Sequence, residues 1–294
     1  MILRKAVSLF IAFAALAGPS DSYRMEIEQW RKAREARLAA EGGWLSVVGL
    51  DWLDEGENRF GTDPRNPVVF PPGKGQAVAG TFLLSAGKVT LKPEPGAGIT
   101  LNGEPVSERV LRVDADGKPD VLRLGSLAFH IIRRGEKFAV RLKDSEAPGR
   151  MAFKGVPVFP VRAGYRVAAT FKAHPAPKEI PIATVIGTTE MMKSPGVVQF
   201  QLGGRKLSLE AVQEPGAGKE LFFIFKDKTN GRLTYPAGRF LYATPREDGT
   251  VVLDFNKAVN PPCAFTEFAT CPLAPRQNAL PVAIRAGEKK YGTH

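Results

Sequence analysis

The chain has 294 residues, enough for one large domain or two of medium size. Its hydrophobic content, 44%, is that of an ordinary globular protein. Lys and Arg (41) exceed Asp and Glu (30), a formal charge of +11, but the excess is spread along the chain. With no basic run to track phosphates it argues against nucleic acid, and it favours anionic partners such as envelope polymers, phosphorylated ligands or acidic metabolites.

Residues 1–17 read as a secretory signal peptide. Arg4 and Lys5 precede an apolar run, 6–14, that is too short to span a bilayer, and Ala15-Leu16-Ala17 has small-x-small cleavage character. The expectation is an exported protein, periplasmic or extracellular, with no integral membrane span after cleavage. An amphipathic helix is predicted over 21–41, within an N-terminal region 18–43. Ser22 or Asp21 caps it, Ile27, Trp30, Ala33 and Leu38 lie near one stripe, and Gly42-Gly43 ends it. Arg31, Arg34 and Arg37 make its other face basic and, by expectation, solvated.

Residues 44–146 read as a first β unit. Trp44 to Leu53 form a buried strand or turn, and Asp51, Asp54, Glu55 and Glu57 follow without the oxygen-ligand spacing of a calcium loop. Short strands are then predicted over 68–70, 81–85, 89–92, 99–101, 110–113, 120–124, 127–133 and 137–142. The turns between them include Asn102-Gly103, a strong hairpin signal. Spacings near ten residues point to a sandwich or barrel. The run ITLNGEPV, followed by LRLGSLAFHIIRRG, resembles the latter half of forkhead-associated sandwiches. No Gly-Arg and Ser-x-x-His segment precedes it, so the resemblance implies fold alone and no phosphothreonine-reading residue.

Residues 147–290 read as a second β unit. A Pro/Gly-rich link leads to strands predicted over 161–172, 180–186, 197–202, 206–212, 221–225, 238–243 and 251–256, with His174-Pro175-Ala176-Pro177 as a loop. The whole is expected to be mainly β: an N-terminal helix and two β-sandwich or barrel-like units. Residues 253–280, LDFNKAVNPPCAFTEFATCPLAPRQNAL, hold both cysteines and the densest prolines. Pro261 and Pro262 fix φ and donate no hydrogen bond, so the strand before them must stop. A loop this restricted costs little entropy to order and suits a site wall. The alternative is a structural plug on the end of a sandwich.

NPPCAFTEFATCPL, preceded by GRFLYATPREDGTVVLDFNKA, resembles the C-terminal signature of a bacterial family catalogued as domain of unknown function 1684. WLSVVGLDWLDEGENRFG, FAVRLKDSEAP and FKGVPVFPV resemble it as well, so the likeness runs from about residue 30 to 287. It implies no particular activity. Val259 and Glu267 stand where the resemblance implies an aromatic residue and a proline.

The chain has no G-x-G-x-x-G, P-loop, H-E-x-x-H or G-x-S-x-G motif. With three histidines, one terminal, no histidine-based metal site is expected, and no cofactor is implied. His130 shares a strand face with Ile132 and reads as a buried histidine. What remains is a set of polar side chains in structured contexts. Arg141 and Lys143 share one face of a strand, and Arg239 opens another. Asp254 and Asn256 share the face opposite Leu253 and Phe255, and Asn260 follows. Arg141, Arg239, Asp254, Asn256 and Asn260 are the candidate ligand-binding residues, guanidinium forks being suited to carboxylate or phosphate. Interior ion pairs, Arg239 with Asp254 for instance, are the alternative. The function expected is binding of an anionic or polyhydroxylated small ligand or envelope component beside the C-terminal loop. An acid–base hydrolase using Asp254 or Glu210, and a structural envelope protein, are the alternatives, so whether the chain is an enzyme stays open. Export to an oxidising compartment suggests a Cys263–Cys271 disulfide, worth about 2.5 kcal/mol for so short a loop. It requires residues 264–270 to fold back, since a bridge needs Cα atoms within roughly 7 Å. Two small buried thiols are the other possibility.

Overall fold

The computed structural model describes residues 19–292. The segment 1–17, expected to be a signal peptide, lies outside them. Helix α1 (Asp21–Ala39) starts at Ser20, whose side chain accepts from the Tyr23 amide. Its inward face is Tyr23, Ile27, Arg31, Arg34 and Leu38, at three- and four-residue spacing, and Ala33 lies outside. Arg31 and Arg34 are therefore not on a solvated face. Their guanidinium groups reach the Phe159 carbonyl (3.0 Å) and Glu288 (3.3 Å), with their apolar stems packed along the way.

Eleven strands follow: β1 (Val47–Trp52), β2 (Gly56–Gly61), β3 (Val68–Val69), β4 (Gly80–Ser85), β5 (Lys88–Pro93), β6 (Thr100–Leu101), β7 (Glu104–Pro105), β8 (Arg109–Val110), β9 (Leu122–Leu124), β10 (Leu127–Arg134) and β11 (Lys137–Asp144). They make a six-stranded sheet, β1-β11-β10-β9-β6-β7, and a five-stranded sheet, β3-β2-β4-β5-β8. The two pack face to face as a sandwich. Phe60, Phe82 and Leu91 of one sheet meet Phe129, Leu122 and Leu142 of the other, with Phe60 and Phe82 stacked at 4.4 Å. Asn102 (φ 54°) and Gly103 (φ 88°) turn β6 into β7, both central residues left-handed as a two-residue hairpin requires. In β11, Phe138, Val140 and Leu142 face this core, so Ala139, Arg141 and Lys143 point out of the sandwich.

Helix α2 (Pro148–Met151) begins the rest of the chain, which adds β12 (Arg166–Ala183), β13 (Thr189–Leu202), β14 (Arg205–Glu210), β15 (Leu221–Phe225), β16 (Arg239–Ala243) and β17 (Thr250–Asp254). The sheet β14-β13-β12-β17 stands beside the antiparallel pair β15-β16. Among the described residues no sheet closes into a barrel, so of sandwich and barrel the first unit takes the sandwich, and no forkhead-associated motif is present. His174–Pro177 is not a loop between two strands. It sits within the single long strand β12, at a register shift between Ala173 and Lys178 where the ladder to β13 is broken, so Pro175 and Pro177 forfeit no pairing.

Alternation in β15 and β16 divides two cores. Phe223, Phe225, Leu241 and Ala243 pack with Val198, Leu253 and Phe255, while Phe222, Ile224 and Phe240 pack with Val259 and Cys271 under the C-terminal loop. That loop is stitched to the β12–β13 hairpin by the Leu273 amide on the Ala183 carbonyl (2.7 Å) and the Val185 amide on the Cys271 carbonyl (2.9 Å). Segment 264–270 does fold back, but Cys263 and Cys271 are free thiols, their sulfur atoms 3.5 Å apart. The expected disulfide is therefore absent. The Cys263 amide instead donates to the Cys271 sulfur at 3.1 Å, and the contact between the two side chains lowers the Cys263 pKa and raises that of Cys271.

Candidate functional site

A cleft of about 650 Å³ opens between the outward face of the first sandwich and the C-terminal loop. Arg134 and Arg141 reach it from β10 and β11. Met192 of β13, then Phe222, Phe240 and Tyr242 of β15 and β16, form its apolar wall, and Val259, Asn260, Thr270 and Cys271 close it. Trp44 and Arg34 complete the rim. Both β15 and β16 send one alternating face here, and Phe222 stacks on Tyr242 at 4.8 Å with planes 10° apart.

Arg141 is the unusual group. Its side chain is 6% exposed, lies over Trp44 at 5.3 Å from the ring centroid, and has no partner for Nε or Nη2. Those two nitrogens form the guanidinium edge that grips two oxygens at once. Burial and the neighbouring Arg134 push its pKa down to about 10. A buried, unpartnered cation is costly, and such groups mark sites more often than frameworks. Asn260, fully buried, presents a second orphan. Its amide nitrogen donates to the Lys289 carbonyl (2.7 Å), which leaves Oδ1 without a donor. Arg134 is satisfied by Asp114 (2.7 Å) and the Thr270 hydroxyl (3.2 Å), and so ties the sandwich to the loop.

The other sequence candidates lie elsewhere. Arg239 is fully buried on the side of β16 opposite Phe240 and Tyr242. It pairs with Asp227 (2.6 Å) rather than Asp254, donates to the Ile284 carbonyl (2.9 Å) and the Ala286 carbonyl, and lies over Phe225. Asp254 accepts the Tyr23 hydroxyl at 2.8 and 2.9 Å through its two oxygens and caps the short turn Phe255–Lys257. That turn ends the strand at Asp254, so Asn256 does not continue its face. Asn256 binds the Asp254 carboxylate (3.1 Å), the Tyr23 hydroxyl (3.0 Å) and both backbone groups of Arg162. Burial and the Asp254 carboxylate push the Tyr23 hydroxyl pKa up. Glu210 is engaged by the Ser194 hydroxyl and His174 (2.7 Å). Sequence reading passed over Trp44, Arg134 and Tyr242. The alternation of β16 was the signal for Tyr242, and no local pattern announced the other two.

The family model described as "Protein of unknown function (DUF1684)" matches residues 151–289, so the N-terminal motifs that resemble that family lie outside the match. The solution NMR structure of an uncharacterized protein of Haloarcula marismortui is 33% identical. It covers 48% of this chain and 78% of its own, at a TM-score of 0.41. No curated protein matches the chain. Among the described residues, no helix is long and apolar enough to cross a membrane, and no cluster of three or more metal-ligating side chains is present.

Proposed function

This chain belongs to the DUF1684 family of proteins of unknown function, and we propose that it binds a small anionic ligand in the cleft between its N-terminal sandwich and its C-terminal loop, the two forming separate structural units. One observation carries the reading: Arg141 lines the cleft, its guanidinium lies over Trp44, and its buried Nε and Nη2 have no partner. A carboxylate or phosphate satisfies that edge with two charge-assisted hydrogen bonds. The Asn260 acceptor adds a demand for one donor, which a hydroxyl of a polyhydroxylated ligand or an N–H supplies. The apolar wall suits the remainder of such a ligand. Val259, where the family resemblance implies an aromatic, gives this chain more room beside Phe240. The hydrolase alternative has less support, because the carboxylates of Asp254 and Glu210 are already engaged by internal donors.

Calorimetric titration with benzoate and with phenyl phosphate tests the reading. At least one should bind the wild type and fail to bind Arg141→Met, which keeps the apolar stem over Trp44. Equal binding to the variant, or no binding of any carboxylate or phosphate probe to the wild type, would overturn it.

A further inference from the structure

The cleft carries unpaired charge of both signs. Arg34 is neutralised by Glu288 and Arg134 by Asp114. Among the described residues, Arg133, Arg141, Glu190 and Glu214 line the cleft and take part in no salt bridge. Two free cations thus face two free carboxylates. Their positions are separated. Glu190 and Glu214 stand where the cleft runs into an adjoining groove of about 540 Å³ that Glu179 and Lys193 also line and Arg141 does not reach. The Phe222–Tyr242 stack belongs to the wall they share.

Resting on the reading of the cleft as an anion site, we infer that its ligand is a zwitterion of the amino-acid class, best a short peptide whose amino group lies well away from its carboxylate. Its carboxylate takes the Arg141 edge, its N–H donors take Asn260 Oδ1 and the glutamate end, and its apolar body lies on the Phe222–Tyr242 wall. The charge balance carries the choice. A phosphate dianion brings a second negative charge to a cleft whose free charges already cancel, and a simple carboxylate leaves both glutamates and the Asn260 acceptor unanswered. A zwitterion answers the guanidinium edge, the orphan acceptor and the carboxylates together.

Calorimetric titration with phenylalanine and alanyl-phenylalanine, each also in its N-acetylated and its C-amidated form, tests this. One of the two zwitterions should bind the wild type, and both of its blocked forms should bind about tenfold more weakly or worse. The double variant Glu190→Gln/Glu214→Gln should bind the free and N-acetylated forms alike, while keeping the penalty for C-amidation. If the N-acetylated forms bind the wild type as well as the zwitterions do, or if benzoate or phenyl phosphate binds more tightly than either, the zwitterion inference falls and the anion site stands. If no carboxylate or phosphate probe binds at all, both fall.

Discussion

The Arg141 guanidinium stacks on Trp44 at 5.3 Å, while Asp114, which lines the same cleft, is committed to Arg134. The stack contributes ~0.5–2 kcal/mol, less than a buried cation without hydrogen bonds costs. Arg141→Met should therefore lose no stability and gain up to about 2 kcal/mol in urea unfolding. A loss of more than about 1 kcal/mol would mean that the side chain holds the fold together.

Arg239 should behave in the opposite way. It is fully buried, bonded to Asp227 and to two carbonyls. Arg239→Met strands Asp227, and we expect a loss of roughly 3–5 kcal/mol with the ligand response of the remaining folded protein unchanged. Equilibrium unfolding alongside anion titration separates the two arginines.

Stability should be nearly flat between pH 4 and 6.5 in the wild type, because two half-buried groups on opposite faces of one sheet oppose each other. Burial pulls His130 down to about 4 and pushes Asp51 up to about 6. Below its ordinary pKa near 6.5 the unfolded chain protonates His130 before the native state does, so that contribution is lost as pH falls towards 4. Asp51 has the reverse sign: the native state holds its proton longer, so its contribution is lost as pH rises from 3.8 to 6. Each amounts to about 3 kcal/mol at most, before discounting for partial exposure. His130→Asn should unmask a stability that falls with rising pH, and Asp51→Asn one that rises. Denaturant midpoints across that range check both, and parallel curves for the two variants would refute the assignment.

Both cysteines should react with a maleimide when the protein is denatured without reductant, adding two labels by intact mass. In the native state Cys263, the more exposed, should label first, since Cys271 is buried and its thiol pKa is raised.

Local pattern determined much of this protein. The Asn102-Gly103 turn, the short strands of the first sandwich and the outward parity of Arg141 and Lys143 were all legible, because each depends on backbone preference and a period of two within a few residues. The same parity could not say which of two buried faces of β16 is interior and which lines a cleft. Phe240 reads as core and Arg239 as a ligand-binding or ion-paired side chain, yet the packing of β17 and the C-terminal segment against one side places Arg239 inside and leaves Phe240 and Tyr242 to the cleft. Nor could it pair Asp254 with Tyr23, 231 residues away, or Arg239 with Asp227 instead of Asp254. A polar side chain's partner is set by whichever donor the tertiary fold brings within 3 Å, and the desolvation cost of any other arrangement then holds it there.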